Sequence, residues 1–78
     1  MSSEVVSALR EAVLRAIPDA AVEAAGGGGH YTLSVVSAAF AGQSMVESHR
    51  LVYAAIAPLL AGDAAPVLAI DKLTTRAP

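Results

Sequence analysis

"GGGGHYTLSVVS", residues 26–37, is the stretch on which the fold turns. In its second part Tyr31, Leu33 and Val35 alternate with Thr32, Ser34 and Val36. Aromatic and β-branched residues dominate, so the pattern predicts a strand with one buried face. The four glycines before it cannot hold a regular element and are expected to form a mobile turn. Upstream, "DAAVEAA", residues 19–25, is ambiguous on its own. Alanine favours helix, yet Ala20, Val22 and Ala24 alternate as a strand would. The flanking turn and strand favour the extended reading, because two extended segments joined by a glycine-rich turn make a hairpin.

Further out, residues 3–16 read as a helix. Val6, Leu9, Val13 and Ile17 recur at helical spacing, and Glu11 can pair with Arg15 four residues on. Ser2 or Ser3 can cap its start, Glu4 suits the positive end of the helix dipole, and Pro18 should stop it near Ile17. Beyond the strand, "AAFAGQ", residues 38–43, is a connection. "SMVE", residues 44–47, matches a capping box, which predicts a second helix from Met45 to about Ala57, with Pro58 near its end and Gly62 as a stop. "PVLAIDKLTT", residues 66–75, should hold a last short strand centred on Val67–Ile70, with Pro66 at its start or edge. The order is α-β-β-α-β. Two helices on one face of a three-stranded sheet make an α+β fold, and residues 1–78 are enough for one small domain.

Composition narrows the function. Hydrophobic residues make up 55% but aromatics only 4%, so the core rests on Val, Leu and Ile with Tyr31, Phe40 and Tyr53 as larger anchors. The absence of cysteine removes disulfides, thiolate metal sites and cysteine nucleophiles together. A net charge of −2 gives no strongly basic footprint for nucleic acid. No apolar run is long enough for a membrane span, and the first residues lack the early basic cluster of a signal peptide. A soluble, cytoplasmic protein is the expectation.

The central motifs resemble those of BolA-like proteins. His30-Tyr31 opens a strand, Val35-Val36-Ser37 closes it, Phe40-Ala41-Gly42 follows, and His49-Arg50-Leu51-Val52-Tyr53 lies on the next helix. The order and spacing of these pieces together are specific, and the resemblance covers nearly the whole chain. It implies a fold like a class II KH domain and a non-enzymatic role. BolA-like proteins partner monothiol glutaredoxins, and the pair can share a [2Fe–2S] cluster; some are described as DNA-binding regulators of cell shape and stress responses. In the shared state the BolA side usually offers a His or Cys from the loop between the first two strands, and a His just before the last strand. This chain departs at both places: the loop is "GGGG", and an ungapped count from "LAI" puts Pro66 at the histidine position. Glycine and proline offer no thiolate or imidazole. The chain alone is therefore expected to bind no cofactor. The basic residue that precedes the signature histidine in many members is Ser48 here.

Among single residues, His49 falls at the centre of the apolar face of the second helix, with Met45, Val46, Val52, Tyr53, Ile56 and Leu60 within about 60° of it at about 100° per residue. It is expected as a buried, hydrogen-bonded histidine that fixes the helix against the sheet. Arg50 sits at the rim, where it either covers the core edge or docks a partner. Tyr53 is expected as a core aromatic with its hydroxyl at the edge; Leu51 points away from the core and should be exposed. Arg50, Leu51 and Tyr53 are the candidate partner contacts. His30, next to the turn, should be accessible and is the one candidate metal contact. No Ser-His-Asp arrangement is apparent, so no enzyme is expected. Two functions follow: an adaptor for a monothiol glutaredoxin in iron–sulfur handling or redox regulation, or a nucleic-acid-binding regulator using the KH-like fold.

Overall fold

A computed structural model describes residues 2–62 and 65–78, with the side chains of Ser2 and Ser3 left aside. The elements are α1 (Ser2–Ala16), β1 (Ala21–Gly27), β2 (His30–Val36), a 3-10 turn (Ala38–Phe40), α2 (Met45–Leu60) and β3 (Ala69–Arg76). The strands form one sheet in the order β1-β2-β3, with β1 antiparallel and β3 parallel to β2. The α+β order expected from the sequence is the one observed.

Tyr31, Leu33 and Val35 are buried, and Thr32 is exposed with Ser34 half-exposed, so β2 presents alternate residues to opposite sides. The buried side meets Leu9, Val13 and Ile17 from the α1 end and Val52 and Ile56 from α2. Phe40 of the 3-10 turn and Val67 complete this core. Among the described residues, the other side of the sheet carries no helix. The capping expected of Ser2 or Ser3 lies outside the described side chains. Glu11 and Arg15 both line the groove between the helices, and no ion pair joins them.

Three expectations need correction. Gly26 and Gly27 pair with Tyr31 and His30, so only Gly28 and Gly29 turn the chain, at φ 63° and 86°. Positive φ at both central residues suits the right-handed twist of a two-residue hairpin, and glycine adopts it without a Cβ penalty. Second, α2 runs past Pro58 to Leu60. Proline there removes one hydrogen bond in the last turn, and the packing of Leu59 and Leu60 against the core offsets it. Third, β3 begins at Ala69 rather than around Val67. Val67 is buried, but its N–H goes to the Leu59 carbonyl (3.2 Å), and Leu68 N–H goes to Gly29 (2.8 Å). Pro66 precedes the strand rather than starting it.

The capping box is present as expected. Glu47 N–H donates to Ser44 Oγ (3.1 Å), and Ser44 N–H donates to Glu47 Oε1 (3.0 Å). The Ser44 backbone bond, then the Ser44 side chain, hold the Glu47 carboxyl below the usual carboxylate range. Ser44→Ala should cost about 1 kcal/mol, read as a lowered urea midpoint at unchanged slope.

Candidate functional site: two surfaces around the last strand

The register between β2 and β3 slips once. Tyr31 faces Ile70 and Thr32 faces Lys72, which leaves Asp71 as the extra residue of a bulge. A bulge re-aims a side chain. Asp71 Oδ1 lies 3.1 Å from His30 Nδ1, and the two side chains remain 58% and 56% exposed. An Nδ1–H donated to the carboxylate leaves Nε2 as the nitrogen with a free lone pair. So His30 is accessible, as its place beside the turn implied, but it is an oriented strand residue rather than a loose loop one. Asp71 was not singled out in the sequence, because a bulge leaves no mark in the alternation until the partner register is known.

This pair stands beside the hairpin turn. The Gly29 carbonyl accepts from both Leu68 (2.8 Å) and Ala69 (3.0 Å), which ties the glycine turn to the segment that follows Pro66. The two segments that the resemblance marks as sources of cluster ligands, the glycine turn and the stretch after Pro66, therefore adjoin here. Their side chains do not suit ligation, since glycine has none and proline carries no donor atom. Among the described residues no group of three His, Cys, Asp or Glu could hold a metal ion. A two-ligand share of a [2Fe–2S] cluster does not fit this donor set.

A different surface runs along α2. Here the expected placement of His49 is wrong. The buried line of the helix is Ser48, Val52 and Ile56, and His49 is half-buried with no hydrogen bond found to its ring among the described residues. The face is turned by about 60° from the one that hydropathy indicates. Its cause is Ser48. This hydroxyl donates to the Met45 carbonyl (3.0 Å) and meets Thr75 Oγ1 of β3 at 2.6 Å, so a polar residue occupies the core line with its hydrogen bonds made. Met45 (72% exposed), Val46 (59%) and Tyr53 (40%) are consequently displaced onto the surface. Tyr53 is not a core aromatic. Arg50 is exposed, and so is Leu51, as expected. The three candidate contacts do not share a face: Leu51 lies about 160° from Tyr53 around the helix. His49→Ala should accordingly cost no more than about 1 kcal/mol, in place of the several expected of a buried, bonded histidine. Thermal unfolding decides between the two.

The serine that ends the Val-Val-Ser motif ties two parts of the fold together. Ser37 is buried; its hydroxyl donates to Asp19 Oδ1 (2.7 Å) and accepts from Ala39 N–H (3.0 Å). Asp19 Oδ2 accepts from Ala38 N–H (3.1 Å). The α1–β1 corner is thereby clasped to the turn that leads into α2. The Ser37 hydroxyl first, then the Ala38 N–H, hold the Asp19 carboxyl below its usual range.

On the helix-free side of the sheet, a shallow cavity of about 270 Å³ is lined by Glu23, Thr32, Ser34, Lys72 and Thr74 among others. Its walls carry no aromatic side chain on which a base could stack. Among the described residues no helix is long and apolar enough to cross a membrane.

A family model described as "BolA-like protein" matches residues 5–77. Among solved structures, the chain is similar to BolA1 protein from Mus musculus in solution, with 32% identity and a TM-score of 0.74 over 95% of this chain and 65% of the mouse chain. It is similar to the BolA domain of SufE1 from Arabidopsis thaliana, with 27% identity and a TM-score of 0.74 over 94% of this chain and 91% of that one. A BolA protein homologue from Coxiella burnetii gives 27% identity and a TM-score of 0.67, over 90% and 86%. No curated protein sequence matches the chain.

Proposed function

Because the chain belongs to the BolA-like family, we propose that it is a non-enzymatic adaptor that partners a monothiol glutaredoxin, with the cluster-ligating share of that partnership reduced or lost. The family match over residues 5–77 carries the first half of this reading. The second half is supported by the glycine turn and Pro66, which leave His30 as the only imidazole beside the place where the family's ligands would lie. An adaptor of this kind works by complex formation: it changes what the glutaredoxin can reach or deliver, without itself holding the cargo.

The nucleic-acid reading is less well supported. The chain has five Lys and Arg against seven Asp and Glu, which leaves little counterion release to drive binding to phosphate. Titration of the purified chain with an apo monothiol glutaredoxin, followed by calorimetry, is expected to give a saturable complex. The same chain should not retard a DNA duplex at physiological salt. Retardation without glutaredoxin binding would reverse the two readings.

A further inference from the structure

We propose that the free edge of β3 is a docking strand for an extended peptide that alternates acidic and apolar side chains. The sheet order ends at β3, so this strand has one edge without a partner among the described residues. Backbone alternation identifies the groups on that edge. The Arg76 carbonyl accepts from Ser37 N–H (3.0 Å), so Arg76, and with it Thr74 and Lys72, bonds toward β2. Leu73 and Thr75 then turn their N–H and C=O groups outward.

The two layers beside this edge set what fits. Leu73 and Thr75 are half-buried on the helix side; Lys72, Thr74 and Arg76 are exposed on the open side. An added strand would alternate in step with them. Its open-side residues would lie beside two cations four residues apart. No acidic side chain pairs with Lys72 or Arg76 among the described residues, since Asp71 is held by His30. Its helix-side residues would lie under α2. Ser48 of α2 reaches Thr75, and α1 packs on the Ala55–Leu59 side of α2. The flank turned away from α1 is therefore the one that carries Met45, His49 and Tyr53, at successive helical turns. On that flank Met45 and Tyr53 are exposed with half-buried His49 between them, and because α2 packs on β3 while α1 packs on β1, it lies toward the open edge. Strand addition of this type takes affinity from main-chain hydrogen bonds and specificity from alternate side chains. The other edge, β1, reads Ala-Val-Glu-Ala-Ala-Gly-Gly and carries no cation of its own.

This inference does not depend on the glutaredoxin reading. The probe is a fluorescein-labelled peptide of seven residues alternating glutamate and valine, titrated with the full chain and followed by anisotropy and by amide shifts. Saturable binding is expected, with shifts confined to residues 69–76 and 45–53. The double variant Lys72→Glu, Arg76→Glu should weaken it roughly tenfold, and a lysine–valine peptide should recover affinity for that variant. The same glutamate–valine peptide, N-methylated on alternate amides that face β3, should not bind. Equal binding of the N-methylated peptide would overturn strand addition, as would shifts confined to β1 or the glycine turn, or no binding at millimolar peptide. Concentration-dependent self-association that the peptide cannot displace would assign the edge to a second copy of the chain and overturn the peptide reading.

Discussion

Gly26→Ala should leave much of the protein unfolded, while Gly28→Ala, two residues away, should cost only about 1 kcal/mol. The two glycines look alike in the sequence and differ in what surrounds them. Gly26 has φ 134°, a conformation that L side chains rarely adopt. A Cβ there would also fall 2.3 Å from the His30 carbonyl oxygen and 2.8 Å from the Tyr31 Cα. Both are backbone atoms of β2, and Tyr31 is part of the core, so neither yields without moving the strand that anchors the sheet. Strain of about 1–3 kcal/mol from the dihedral alone adds to that clash. A chain of this length holds about 4–12 kcal/mol in total. Gly28, at φ 63°, has nothing within 4 Å of the added atom. Far-ultraviolet circular dichroism with urea titration of both variants tests the contrast; equal midpoints would mean that the β1–β2 register is not the one described.

The same comparison shows why the sequence was legible in some places and opaque in others. The hairpin, the capping box and the α-β-β-α-β order rest on local chemistry: alternation, turn residues and a side chain reaching three residues along. Those signals are complete within a short window. The inward line of α2 is not. Met45, Val46 and Tyr53 outweigh Ser48 on any hydropathy count, yet Ser48 faces the core because Thr75, 27 residues away, supplies its hydrogen bond. The clasp between Asp19 and Ser37 is likewise long-range, and so is the bulge that brings Asp71 to His30. Of the candidate residues, the exposure of His30 and Leu51 was readable, since exposure follows from turns and helix angle, whereas for Arg50 the helix angle gave only a place at the rim. The burial of His49 was not, because it depended on which of two adjacent helix faces found a polar partner.

Iron and sulfide reconstitution of this chain with a monothiol glutaredoxin should yield no visible-region circular dichroism beyond that of the glutaredoxin alone, and Pro66→His should create it. The first half follows from the donor set. The turn between β1 and β2 ends in glycines, and the residue before Val67 is a proline, so neither of the adjoining segments brings a thiolate or imidazole. The second half uses a feature of Pro66 that makes the substitution a clean one. Pro66 is exposed, it stands three residues ahead of β3, and as a proline it has no N–H whose bond could be lost. Histidine there should change the unfolding midpoint little, so a failure to gain the signal could not be ascribed to a damaged fold. A strong signal from the unaltered chain would contradict the reading and point to another ligand. His30 is the residue to test next, since Asp71 engages its Nδ1 and no hydrogen bond occupies Nε2 among the described residues. His30→Ala would abolish that signal if the imidazole substitutes for the missing ligands. Survival of the signal in the His30→Ala, His49→Ala double variant would exclude both histidines of the chain and leave a methionine thioether or an oxygen as the ligand it supplies.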